Sequence, residues 1–178
     1  MPSDNIKVIS AMSNGDIWIG TDFGASRFDG IDWTTYTTST MQSIPLISNQ
    51  VKSIDEEQST GIVWIGTNQG VTPLDLSGVT NSLSYGAPDL HWSGVNSTSF
   101  DSNGDIWFSS PLGGITSFDG VNFTTYDTST GLLSQYATDL IIDNQDNKWV
   151  GTASGISVLD ASNTSFTQYT RMYIMPPP

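Results

Sequence analysis

One eight-residue phrase that returns four times constrains this chain more than any other feature. NGDIWIGT at 14–21 comes back as TGIVWIGT at 60–67, NGDIWFSS at 103–110 and QDNKWVGT at 145–152. Trp18, Trp64, Trp107 and Trp149 are therefore spaced by 46, 43 and 42 residues. Self-similarity at a period of roughly 40–50 residues marks a repeat architecture, in which one supersecondary unit is copied and stacked.

Each copy divides into four strand-like pieces. The last copy is the cleanest: ATDLIIDN (137–144), NKWVGT (147–152), GISVLD (155–160) and SFTQYT (165–170). The first gives IKVISAM, DIWIGT, ASRFD and DWTTYT, and the third VNSTSFD, DIWFSS, GITSFD and NFTTYD. The second runs VKSIDEE, IVWIGT, GVTPLD and a weaker closing piece near SLSY. The pieces are short, partly alternating and rich in β-branched and aromatic residues, and no long segment has helical periodicity, so the chain reads as all-β. Asn14-Gly15 and Asn103-Gly104 are turn pairs, since glycine accepts positive φ and asparagine tolerates it. A four-stranded antiparallel unit of this kind has two apolar faces, which stacking around an axis would bury. The expected fold is a β-propeller of four four-stranded blades, at about 5–49, 50–94, 95–136 and 137–170, in one domain spanning 1–178 with a tail at 171–178. The four tryptophans are its expected structural wedges.

The phrases NGDIWIGTDFGASRFDG, WIGTNQGVTPLD, NGDIWFSSPLGGITSFDG and NKWVGTASGISVLD, with FTTYDTSTGLL following the third, resemble the two-component regulator propeller repeat. That resemblance covers about residues 5–170. It implies the periplasmic sensor regions of bacterial hybrid two-component systems, some of which are similar to oligosaccharide receptors, and so an extracellular or periplasmic place. The sensors of that family carry more blades, plus membrane, kinase and output parts that do not occur in these 178 residues. The N-terminus MPSDNIKV has neither a basic nor an apolar signal region.

Four blades are few for a ring. Every blade has its own first and last strand, so no strand is left over to clasp the termini together. Two arrangements follow: a closed four-bladed ring, or a homodimer of half-rings making eight blades.

The 178 residues hold 18 acidic and five basic side chains, for a formal net charge of -13. That field disfavours nucleic acid and anionic membrane as partners, and no apolar run is long enough for membrane insertion. With no cysteine and a single histidine, thiolate chemistry and multi-histidine metal centres are excluded, and no cofactor is expected. Asp101-Ser102-Asn103-Gly104-Asp105 and Asp143-Asn144-Gln145-Asp146-Asn147 place oxygens at alternating positions as calcium loops do, but they lack the glycine and glutamate that complete such loops and read better as turn formers. Candidate ligand-binding residues lie in the unequal connections: Phe23, Tyr85, Asp89, His91, Trp92 and Tyr136. Their aromatic rings and carboxylate suit a sugar, but the favoured reading is structural: Leu90 and Trp92 plug the wide end of the ring, His91 is a satisfied surface residue, and Phe23 and Tyr136 pack. The function favoured on these grounds is a non-enzymatic propeller module that binds a glycan or protein. Two alternatives stand beside it: a carbohydrate-active lyase or hydrolase using carboxylates at the ring mouth, which would need acids clustered at one end with shifted pKa values, and a purely structural propeller or fragment.

Overall fold

In the computed structural model, residues 1–40, 45–77, 83–87, 89–90 and 94–171 are described. The chain divides into two compact units, Met1–Thr98 and Ser99–Pro178.

The first unit holds sheet one, built from β1 (Ile6–Ala11), β2 (Ile17–Thr21), β3 (Gly24–Phe28) and β4 (Trp33–Tyr36) in that order, and sheet two, built from β5 (Val51–Glu57), β6 (Ile62–Thr67) and β7 (Gly70–Leu74). Where sheet two has no fourth strand, Tyr85 makes an isolated bridge to Val71. β8 (Ser97–Phe100) opens sheet three, followed by β9 (Ile106–Ser110), β10 (Gly114–Phe118) and β11 (Phe123–Tyr126). Sheet four is β12 (Ala137–Ile142), β13 (Lys148–Thr152), β14 (Gly155–Leu159) and β15 (Phe166–Tyr169). All pairings are antiparallel between consecutive strands.

The repeated letters do repeated work. Gly24, Gly70, Gly114 and Gly155 open the third strand of each sheet with positive φ, from +76° to +136°, a region that side chains with a Cβ rarely enter. Just before three of them, the hydroxyls of Thr21, Thr67 and Thr152 donate to the carbonyls of Gly24, Gly70 and Gly155 at 2.8–2.9 Å. Each tryptophan stacks on an aromatic ring of its own sheet's outer edge: Trp18 on Tyr36, Trp64 on Tyr85, Trp107 on Tyr126 and Trp149 on Tyr169.

Sheets pack face to face within each unit. Trp18, Ala25 and Tyr36 of sheet one lie in one buried cluster with Val51, Ile54 and Ile65 of sheet two. Trp107 and Ile115 of sheet three do the same with Ala137, Leu140 and Val150 of sheet four. A Cβ added to Gly20 would collide with Val51, so that corner must stay bare.

The all-β reading holds, but the propeller does not. The sheets neither close into a ring nor curl strongly, which corrects both expected arrangements, the four-bladed ring and the half of an eight-bladed one. Two features account for this. Each sheet is made only of consecutive strands, so no strand from one end of the chain completes a sheet at the other. Large apolar side chains that ring closure would bury also stay in solvent: Ile9 of sheet one is 67% exposed and Ile141 of sheet four 60%.

Candidate functional site

The turns that join first and second strands gather most of the chemistry. In sheet three, Asp101 Oδ1 accepts the backbone N–H groups of Asn103 and Asp105, both at 3.0 Å, while Oδ2 accepts Trp107 Nε1 at 2.9 Å. In sheet four, Asp143 Oδ1 accepts Gln145 and Asn147 at 2.9 Å, and Oδ2 accepts Trp149 Nε1 at 2.8 Å. The two calcium-like loops thus turn these carboxylates inward onto their own amides and indoles. Among the described residues no group of three or more His, Cys, Asp or Glu is placed to hold a metal ion. In the equivalent place sheet one has Met12 and sheet two Gln58; Trp64 Nε1 donates instead to Glu57 at 3.3 Å, whereas Trp18 Nε1 is left buried without an acceptor.

Two departures from the repeat coincide at sheet four. The residue before the tryptophan is Ile17, Val63 and Ile106 in the first three copies and Lys148 in the fourth. Three residues before the tryptophan stand Gly15, Gly61 and Gly104, all with positive φ, and then Asp146, which keeps that conformation at φ +70°. A non-glycine residue held there carries a backbone cost. Asp146 spends it on position: its carboxylate accepts Ser102 N–H at 2.9 Å and the Ser102 hydroxyl at 3.0 Å, and lies 3.8 Å from Lys148 Nζ. Lys148 is fully buried, with Nζ 3.6 Å from Asp101 and 4.8 Å from the centre of the Trp107 ring, and makes no hydrogen bond. An ammonium has replaced an apolar core group, and two carboxylates flank it.

Asp105 and Asp119 lie beside this cluster, at the turns that begin β9 and end β10. Burial pushes the Asp105 carboxyl up from the ordinary carboxylate range, and the charges of Asp101 and Asp119 push the same way, opposed by Lys148. Asp119 goes down, because its carboxylate accepts the backbone N–H groups of Asn122 and Val121 at 2.7 and 2.8 Å. The matching pair in sheet one is Asp16 and Asp29. There Arg27 pairs with Asp16, whereas sheet three has Ser117 in the arginine's place. The same two acids are therefore left without a guanidinium in sheet three, and two neighbouring carboxyls are pushed apart in proton affinity, the condition for acid and base roles.

The residues singled out from sequence lie elsewhere, mostly in connections to the opposite ends of these strands. Phe23 is 63% exposed in the β2–β3 turn, its N–H donating to the Thr21 hydroxyl. Tyr85 bridges to Val71 and lies against Trp64. Asp89 is exposed, and the adjoining Leu90 is buried. Tyr136 is 48% exposed, and its carbonyl accepts Ala153 N–H at 3.1 Å. His91 and Trp92 lie outside the described residues. Of the wedge residues, Trp18, Trp64 and Trp107 are buried, while Trp149 is half-buried. Sequence reasoning passed over Lys148, Asp146 and Asp105, treating their loops as turn formers only. The signal that marks the first two was available, since each breaks a column that three other copies keep.

No protein-family model matches the chain, and no curated protein does. Solved structures do share its fold. The extracellular domain of a hybrid two component system from B. thetaiotaomicron aligns with TM-score 0.81 and 24% identity, over 97% of this chain and 24% of that one. The extracellular domain of a one component system from the same organism aligns with TM-score 0.78 and 22% identity, over 98% and 26%. Virginiamycin B lyase from Staphylococcus aureus aligns with TM-score 0.71 and 14% identity, over 96% and 57%. The chain thus spans about a quarter of the sensor domains and just over half of the lyase. Identities this low establish a common fold, an array of sheets seen both in extracellular domains of signalling systems and in lyases. The non-enzymatic propeller module expected from the repeats rested on a ring that these sheets do not form, and that expectation is withdrawn with the ring. Among the described residues no helix is long and apolar enough to cross a membrane.

Proposed function

We propose that the acidic turn end of sheet three is a carbohydrate-active site of the lyase or hydrolase kind, with Asp105 as general acid and Asp119 as the carboxylate that works against it. The observation that carries the reading is the divergence of these two neighbouring carboxyls, one raised by burial and like charge, the other lowered by two backbone amides. Of the two, the raised carboxyl has the greater hold on a proton and is the one suited to deliver it to a leaving oxygen, and the lowered one is suited to accept a proton. In elimination, Asp119 removes the proton next to the sugar's acidic group, the carbon–oxygen bond breaks, and Asp105 protonates the departing oxygen. In hydrolysis the same base takes a proton from water, whose oxygen adds to the anomeric carbon as the glycosidic carbon–oxygen bond breaks and Asp105 protonates the departing oxygen. Lys148 and Asp146 hold the Asp101 and Ser102 turn against sheet four and so fix the backbone that carries Asp105. The fold shared with a lyase supports this reading, as does the acid cluster itself. The regulator-type repeats and the fold shared with extracellular domains support a place outside the cytoplasm.

The test is turnover of a panel of acidic and neutral polysaccharides by the purified chain. Elimination adds ultraviolet absorbance from a new carbon–carbon double bond; hydrolysis adds reducing ends without it. Asp105→Asn is expected to lower kcat by roughly 10²–10⁴-fold with the circular dichroism spectrum retained. Turnover that survives Asp105→Asn and Asp119→Asn, or no turnover on any member of the panel, overturns the assignment.

A further inference from the structure

Both end sheets present an open apolar face, and the two faces are the two halves of a joint that the chain already makes. At the joint of sheets one and two, the trailing half is Trp18 with the Gly20↔Ala25 pair, and the leading half is Val51 with the Ile54↔Ile65 pair. At the joint of sheets three and four, the trailing half is Trp107 with Ser109↔Ile115, and the leading half is Ala137 with Leu140↔Val150. The corner residues compensate in size: glycine receives valine at the first joint, and where serine replaces the glycine, alanine replaces the valine. Every one of these residues is buried.

Sheet four carries the same trailing half with no cover among the described residues. Its corner pair is Gly151↔Ile156, and Ile156 is 38% exposed where Ala25, Val71 and Ile115 are fully buried. A groove of about 220 Å³ opens there, lined by Asp139, Leu140, Ile141, Trp149, Gly151 and Ile156. A Cβ placed on Gly151 meets only its own sheet, first the Thr138 hydroxyl at 3.3 Å. Sheet one carries the leading half with no cover among the described residues. Ile6 pairs with Thr21 as Val51 pairs with Thr67 and Ala137 with Thr152. The Ile9↔Ile19 pair matches Ile54↔Ile65 and Leu140↔Val150, yet Ile9 is 67% exposed where Ile54 and Leu140 are 1% and 2%.

We infer that a second copy of this chain seats the leading face of its sheet one on the trailing face of sheet four, with Ile6 entering the corner at Gly151. The contact continues an interface already used between sheets, with glycine again receiving a β-branched side chain. It is heterologous, joining different surfaces on the two copies. The formal charge of -13 on each copy opposes it, so added salt strengthens the association.

Multi-angle light scattering across a concentration series tests this. The unmodified chain is expected to rise above its 19.2 kDa monomer mass as concentration increases, and to do so at lower concentration in higher salt. Ile9→Lys removes one half of the joint and Ile156→Lys the other. Both side chains are already solvent-exposed, so both variants should keep the parent's circular dichroism, and each alone should remain monomeric. Mixed together they regain one intact joint and should form a complex of twice the monomer mass. A wild-type mass fixed at the monomer value overturns the inference. So does association lost in only one of the two variants, or a mixture that stays monomeric.

Discussion

Lys148 offers the sharpest test of how the fold holds its acidic turns. Its Nζ lies 3.6 Å from Asp101 and 3.8 Å from Asp146, and its side chain is fully buried. At an effective dielectric of about 20, each pair contributes roughly 4–5 kcal/mol of Coulomb attraction. Against this stands a desolvation cost of several kcal/mol for the ammonium, so the net contribution is far smaller than the sum. Lys148→Ile removes the cation and leaves the fully buried Asp101 carboxylate facing an apolar side chain. Breaking half of a buried pair costs about 3–5 kcal/mol, and the three N–H donors already on Asp101 argue for the lower end. The double variant Lys148→Ile with Asp146→Gly restores the residues found in the other repeats. It removes one of the two carboxylates and also the positive-φ strain at Asp146, worth about 1 kcal/mol or more. It also loses the two hydrogen bonds that Asp146 accepts from Ser102, so the expected sign of coupling is that the double variant loses at least about 0.5 kcal/mol less than the sum of the two single losses. Urea unfolding followed by tryptophan fluorescence measures all four corners of the cycle. A Lys148→Ile protein as stable as the parent, or a double variant whose loss equals the sum of the two single losses, would refute the coupling.

Three further outcomes follow from the repeat comparison. Trp107→Phe should cost about 1–3 kcal/mol more than Trp18→Phe in the same assay, because only Trp107 donates its indole N–H to a buried aspartate. Asp143 is lowered to about 2 by side-chain hydrogen bonds from Asn147 and Trp149, so its contribution is complete above the unfolded carboxylate range, near 4, and is lost as pH falls toward about 2. Acid titration of Asp143→Asn should lack that portion of the loss. Gly20→Val should destabilise by about 1–3 kcal/mol through collision with Val51, while Gly151→Val should leave the unfolding midpoint of the monomer nearly unchanged.

The strands, their order and their turns were legible because each is written locally: a β-branched run, a glycine at positive φ, and a tryptophan six residues after an aspartate in two copies. Ring closure was not legible. It depends on whether the first and last faces meet, and that depends on small rotations between sheets that no local phrase encodes. The candidate site was half legible. Acid clustering with shifted pKa values is what catalysis requires, but eighteen acidic residues single out no pair in the sequence, whereas the aromatic connections at Phe23, Tyr85 and Tyr136 stand out plainly. The hairpin acids looked explained once turn formation accounted for Asp101 and Asp143. For those two residues the explanation stands. It did not extend to Asp105, whose surroundings depend on an arginine present at position 27 and replaced by Ser117 in sheet three.

A repeat protein supplies its own controls, and departures that occur together say more than those that occur alone. Met12 stands where sheets three and four have an aspartate, and it leaves the Trp18 indole N–H without an acceptor. Lys148 and Asp146 changed together, are 3.8 Å apart, and each costs stability by itself: one buries an ammonium, the other strains the backbone. Together they tie the Ser102 turn of sheet three to the Asp146 turn of sheet four, where sheets one and two use Ser13 and Glu56 at 2.6 and 2.8 Å for the same purpose with no buried lysine. The added charge is therefore unnecessary for joining sheets. What distinguishes the second unit is the presence of Asp105 and Asp119 beside that charge without an arginine to neutralise them, and this is why the proposed site lies at sheet three rather than at its counterpart in sheet one.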